Sequence, residues 1–245
     1  MTTTIKGISS MATRLLLNDW AEEYQRSAQV TVAIEAVGGV DAAKRVQLSE
    51  PFDAVFLSAD AIDKLIASGQ VLPGSRVDLV RSGVAVAVRE GAPHPDISSE
   101  DALRQTVLAA RSLSYSTGPS GVALAKLFER WGIADQIKAR LVTAPPGVPV
   151  GSLVAKGEVE LGFQQLSELM HLPGISVLGP LPQAIQIMTT FSAGVCATSQ
   201  QPDAVRAMLA AMNEPQAATL KRRHGMEPAI PVAPSRHPGE DRDPA

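Results

Sequence analysis

The chain has 245 residues, 45% of them hydrophobic and 19% charged, with 22 Lys and Arg against 25 Asp and Glu for a net charge of −3. That apolar fraction suits a packed core in one large domain or two modest ones, and the scattered basic residues leave no stripe for nucleic acid. The single cysteine, Cys196, sits in an apolar run, so it reads as a small buried hydrophobe, and an internal disulfide is excluded. No stretch has the length of a membrane span, and residues 1–7 lack the charged and apolar regions of a secretion signal. As written the chain reads as cytoplasmic, and as periplasmic where a leader has been removed.

Residues 4–9 read as a strand, followed by an amphipathic helix over 11–24 in which Met11, Leu15, Leu16, Ala21 and Tyr24 recur at helical spacing, with Ser9 or Ser10 as N-cap. The pattern repeats as strand 30–36 with helix 40–48, and strand 54–57 with helix 60–68, closed by Gly69. A β-branched run over 79–88 follows, interrupted by Arg81-Ser82-Gly83, and then a turn-rich stretch over 91–96. A second series reads as helix 99–109, strand 113–116, helices 119–131 and 150–156, strand 160–163 and helix 165–170. A long strand-like run over 185–197 precedes helices 202–212 and 215–223.

Alternating strands and helices predict an α/β fold with a mostly parallel sheet covered on both faces. The two long runs bracket the central block, which predicts two lobes joined by two crossovers, with a ligand cleft between them. The expected division is 1–81 plus 195–230 for the first lobe, 82–194 for the second, and a disordered tail over 231–245.

Four strand-to-helix turns are small or polar: Ile8-Ser9-Ser10-Met11, Val37-Gly38-Gly39-Val40, Tyr115-Ser116-Thr117-Gly118-Pro119-Ser120-Gly121 and Leu161-Gly162-Phe163-Gln164-Gln165. Helix N-termini carry unpaired N–H groups and partial positive charge, and in open α/β sheets they gather at the carboxyl ends of the strands. Several facing one cleft make an anion site. The candidate ligand contacts are therefore Ser9, Ser10, Gly38, Gly39, Thr117, Ser120, Gly121, Gln164 and Gln165, with Arg81 either a bidentate carboxylate partner or a salt bridge at the hinge. Ser9 and Ser10 also read as plain caps, and Gly38-Gly39 as a tight connection. The four histidines share no motif, and no metal spacing, P-loop, nucleophile elbow or dinucleotide fingerprint occurs, so neither a metal nor a cofactor is expected. Tyr115 and Asp60 are the nearest candidates for a general base, and neither stands out.

The segments Phe52-Asp53-Ala54-Val55-Phe56-Leu57-Ser58-Ala59-Asp60, Gly118-Pro119-Ser120-Gly121, Gly157-Glu158-Val159-Glu160-Leu161-Gly162, Pro215-Gln216-Ala217-Ala218 and His224-Gly225-Met226 resemble, in order, those of the type II periplasmic solute-binding proteins. Within them the likeness is to the molybdate-binding proteins, and it covers residues 4–229. The resemblance implies a two-lobed fold that closes over a small anion, and an ABC permease as partner if the protein is exported. It places Ser10 at the first serine of the molybdate pattern and Ser120-Gly121 at a backbone donor. Gly38-Gly39 stands where that pattern has a second serine and Gln165 where it has a tyrosine, which points to a carboxylate ligand rather than molybdate. Ser167-Glu168-Leu169, Gly179-Pro180-Leu181-Pro182 and Gln186 resemble a subgroup that is also similar to aconitate isomerase. Three functions stay open: anion binding for transport, isomerisation of an unsaturated di- or tricarboxylate, and a cytoplasmic ligand sensor.

Overall fold

The computed structural model describes residues 3–145 and 147–229. The strands are β1 (Thr3–Ser10), β2 (Val30–Val37), β3 (Ala54–Ser58), β4 (Val77–Arg89), β5 (Leu113–Tyr115), β6 (Leu161–Gln165), β7 (Ile175–Pro180), β8 (Met188–Val195) and β9 (Glu227–Pro228). The helices are α1 (Arg14–Ser27), α2 (Gly39–Gln47), α3 (Ala59–Ala67), α4 (Glu100–Ala109), α5 (Pro119–Arg130), α6 (Ala134–Ile137), α7 (Val150–Lys156), α8 (Leu166–Leu169), α9 (Pro202–Ala211) and α10 (Ala217–Arg223).

One strand organises the molecule. The first half of β4 pairs antiparallel with β8, and its second half pairs antiparallel with β6 and β7. It therefore belongs to two sheets. In the first, the order runs β2-β1-β3-β8-β4, with β2, β1 and β3 parallel and β8 antiparallel to β3. In the second, β5 lies parallel to β6, and β6 and β7 flank β4. The sheets are mixed rather than mostly parallel, because β4 and β8 pass between the lobes against the direction of the βα units.

The expected interruption at Arg81-Ser82-Gly83 does not break β4, which runs through all three residues. Gly83 serves a close approach instead: a Cβ there would stand 2.9 Å from Gln186 Nε2, whose amide lies across the strand and donates to the Val84 carbonyl. The return run starts later than expected, since the turn Gln183–Ile185 precedes β8. Residues 188–194, expected in the second lobe, pair with β3 and the first half of β4 and so sit in the first sheet. Two further strands, β7 and β9, add to β4 without an alternating pattern that marks them. The tail over 231–245 lies outside the described residues.

Packing follows from the faces these elements bury. Leu16, Leu17 and Trp20 of α1 meet Ile5, Phe56 and Phe191 of the first sheet, and Val205, Met208 and Leu209 of α9 with Leu220 of α10 join the same core. The C-terminal helices thus complete the first lobe. Lys221 of α10 is buried and donates to the Leu79 carbonyl (2.8 Å) and to Asn213 Oδ1 (2.8 Å), tying α10 to the start of β4. Burial lowers its pKa to about 8, since no carboxylate offsets the desolvation of the ammonium. Leu103, Leu124, Phe128 and Phe163 centre the second core. Cys196 is free and buried, and burial, with Asp53 nearby, pushes its thiol up to about 12.

Candidate functional site

The carboxyl ends of β1, β2, β5 and β6 each pass into a helical segment, and those segments converge on one cavity of about 160 Å³ between the lobes. It is lined by Ser10 with Met11, by Gly38 and Gly39 at the start of α2, and by Thr117, Gly118 and Ser120 at the start of α5. Pro149 and Val150 at the start of α7, and Gln165 at the start of α8, close it. A cavity of about 150 Å³ accepts a molecule of six carbons such as benzene, so the volume suits a small organic anion.

Among the described residues no Lys, Arg or His lines it. Attraction for an anion must come from helix N-termini and hydroxyl or amide dipoles, and α2 and α5 are the longest of these helices. Ser10 shows how the turn serves this purpose. It occupies the cap position of the Met11–Thr13 turn, yet its side chain makes no cap hydrogen bond, and its buried Oγ has no partner among the described residues. A buried hydroxyl left unpaired costs about 1–3 kcal/mol unless something in the cavity binds it. Gln165 differs: Nε2 donates to Thr189 Oγ1 (2.9 Å), while Oε1, which can only accept, is buried without a partner among the described residues.

Of the sequence candidates, Ser10, Gly38, Gly39, Thr117, Ser120, Gln164 and Gln165 line the cavity. Ser9, Arg81 and Gly121 do not. Ser9 is fully buried in β1, and side chains alternate along a strand, so the hydroxyl next to Ser10 points to the other face. Arg81 is exposed on β4, opposite Thr190 and Glu227, away from the lining. Gly121 is needed for packing: a Cβ there would fall 1.5 Å from the Ser116 carbonyl oxygen, so only glycine lets α5 settle on the end of β5. That contact holds Ser116 against Ser120, whose hydroxyls lie 3.0 Å apart. Tyr115 and Asp60, considered as bases, line flanking pockets of about 300 Å³ and 310 Å³. Burial raises the pKa of Tyr115, whose ring packs edge-on against Phe128.

The residue that sequence reasoning passed over is Glu168. Among the described lining residues it alone carries an ionisable side chain. Burial pushes its carboxyl up to about 7, partly opposed by the hydrogen bond from Gln164 Nε2 to Glu168 Oε1 (2.8 Å). The signal was present in the spacing: Gln164 and Glu168 stand four apart across the junction of β6 and α8. Ser116, within the polar turn already singled out, also lines the site, as do Thr189 and Phe191, which no local motif marks.

On the far side of α8 the lobes meet. The His171 and His224 rings pack edge to face at 5.6 Å, and Gly225, at φ +68°, leaves room for Met170 and Leu166.

The family model for bacterial extracellular solute-binding proteins matches residues 5–227. The chain belongs to that family. It is 41% identical over 240 residues to the aconitate isomerase of Pseudomonas sp, covering 95% of this chain and 90% of that one. Among solved structures it is similar to the periplasmic molybdate-binding protein of Azotobacter vinelandii, with a TM-score of 0.76 at 19% identity over 93% of this chain and 100% of the other. The sulfate-binding protein SubI of Mycobacterium tuberculosis gives a TM-score of 0.77 at 18% identity over 94% and 88%. These structural likenesses establish the mixed α/β solute-binding fold. Among the described residues no helix is long and apolar enough to cross a membrane.

Proposed function

We propose that this solute-binding scaffold isomerises an unsaturated tricarboxylate of the aconitate type by moving one proton between the two ends of an allylic unit. The observation that carries the reading is Glu168: a carboxyl held near neutrality, on the wall of a cavity otherwise made of helix ends and neutral side chains. A general base serves best when its pKa lies near the working pH, and a group at about 7 is half ionised there. The 41% identical aconitate isomerase supports the choice of substrate.

The step balances without an external reactant. The Glu168 carboxylate takes a proton from the methylene carbon, and the electron pair that remains spreads over three carbons and into the flanking carboxylates. Those carboxylates gain charge as the pair delocalises, and helix N-termini with the Ser10 hydroxyl face them where the charge develops. In the carbanion the former double bond is weakened, so its geometry can change. Glu168 then returns the proton to the other terminal carbon, and the double bond re-forms in the shifted position.

Proton NMR of the purified protein with cis-aconitate tests this directly. Trans-aconitate should appear, and Glu168→Gln should slow its formation by a factor of about 10²–10⁴. No conversion, or an unchanged rate in the variant, removes the isomerase reading.

The unpartnered Ser10 Oγ, a hydroxyl free to donate, favours a second reading, in which the cavity only holds a carboxylate. Protonated Glu168 then serves as a hydrogen-bond donor, and an ABC permease receives the ligand. Tight binding without conversion would select it.

A further inference from the structure

Gln164 was expected to touch the ligand, but both ends of its amide are already engaged. The Gly151 N–H at the start of α7 donates to Gln164 Oε1 (3.2 Å), and Gln164 Nε2 donates to Glu168 Oε1 (2.8 Å). Amide oxygen and nitrogen are often interchangeable in a structure, but not here. A backbone N–H can only donate, so the oxygen must face Gly151 and the NH₂ must face the carboxyl. The side chain is buried, in the last turn-bound stretch of β6, and has no freedom to swing toward a ligand.

We infer that Gln164 is a positioning residue: it fixes the orientation of the Glu168 carboxyl in the cavity and, by donating to it, favours the ionised form that abstracts a proton. The inference rests on the proposed role of Glu168. Its physical basis is the balance at that carboxyl, where burial favours the acid and the Gln164 amide favours the carboxylate. No charged group enters this balance from nearby. On α7, Gly151 meets Leu169 and the one charged residue, Lys156, is exposed, while the turn at Gly225 meets Leu166. The other elements packed against α8 are the Met11–Thr13 turn, β4, β6 and β7. Their charged residues are Asp78, Arg81 and Arg89 of β4, whereas the part of β4 under α8 presents Ala85 and Ala87. His171 follows α8 and turns to His224. Gln164 is thus the one polar side chain hydrogen-bonded to Glu168 among the described residues.

The amide also ties Glu168 to α7 and to the segment before it, whose Ala144, Pro145, Gly147, Val148 and Pro149 form one wall of the cavity. A shift of that wall would carry Gln164 with it and change the hold on the carboxyl.

The test uses Gln164→Met, nearly equal in length but unable to donate, and Gln164→Leu, which also removes the donor and adds no second titrating group beside Glu168. The protonation of Glu168 is followed by the infrared carboxyl band that disappears in Glu168→Gln, so no turnover is required. Loss of one hydrogen bond to a charged group should move the midpoint up by about one to two pH units in both variants. The acid limb of the pH profile of kcat/KM for aconitate should move with it, while the rate on the alkaline plateau falls far less. Unmoved midpoints in both folded variants overturn the inference, whatever their activity. Shifted midpoints in the variants, with a wild-type protein that converts no aconitate, would retain the positioning role and discard the isomerase.

Discussion

Replacing Glu168 by Gln should make the protein more stable at alkaline pH, although it removes the group on which the proposed chemistry depends. The folded protein holds this proton more tightly than the unfolded chain, with a pKa raised from 4.5 to about 7 by burial. Below the unfolded value both states are protonated and the stabilising contribution is fully present. As pH rises through 4.5 toward about 7 the unfolded chain releases the proton first, so stability falls across that window and the loss is complete above it. A shift of about 2.5 units at about 1.4 kcal/mol per unit sets a ceiling of about 3.5 kcal/mol. The side chain retains partial exposure where it lines the cavity, and solvent there screens the carboxylate, so about 1–2 kcal/mol is the expected size. Glutamine is neutral, nearly the same shape, and does not titrate. Urea unfolding at pH 5 and pH 8 measures the difference: wild type and variant should be close at pH 5, and the variant should be more stable by about 1–2 kcal/mol at pH 8. Parallel stability curves for the two proteins would refute the claim that burial holds the proton on Glu168.

Ser10→Ala should leave unfolding stability unchanged or slightly higher, because Oγ has no partner to lose. It should weaken tricarboxylate binding in calorimetry by roughly tenfold to a hundredfold, and undiminished affinity would mean the hydroxyl does not face the ligand. Gly121→Ala drives a Cβ to 1.5 Å from the Ser116 oxygen, so α5 must shift. A loss of about 3 kcal/mol or more is expected in thermal or urea unfolding, and wild-type stability would disprove the close approach. Molybdate should bind more weakly than tricarboxylates in calorimetric titration, since Gly38-Gly39 supplies no hydroxyl at the second turn. Tight molybdate binding with no response to any carboxylate would show that backbone donors suffice.

Much of the framework was legible from local patterns. The βα units through α3, the capped α4 with its Ser99 side chain accepting from the Ala102 N–H, and the proline-led α5 follow from apolar periodicity and turn chemistry within a few residues. The cavity-lining turns at Ser10, Gly38-Gly39, Thr117 to Ser120 and Gln165 were legible for the same reason: a strand ending in small polar residues before a helix presents backbone donors. The two long β-patterned runs added the two-lobed architecture, and the resemblance in the order of short motifs implied the same. Less visible were β7 and β9, short edge additions to β4 that lack alternation of their own.

What tertiary structure alone decided is which polar atoms remain unpaired and which acid is buried. Ser9 and Ser10 are chemically alike neighbours, and only the pleat of β1 sends one to the cavity and the other to the opposite face. Arg81 stood open between a carboxylate partner and a hinge salt bridge, and Glu168 entered only as part of the Ser167-Glu168-Leu169 motif. Strand pairing leaves the first outside, and packing of α8 over Ala85 and Ala87 brings the second to the cavity wall. Glutamines 164 and 165 are likewise adjacent, yet one is saturated by Gly151 and Glu168 and the other keeps a free oxygen. Periodicity specifies a side chain's face within its own element, whereas desolvation and hydrogen-bond satisfaction depend on what other elements place against that face. That is why the anion-binding frame was readable along the chain and the proton-bearing group inside it was not.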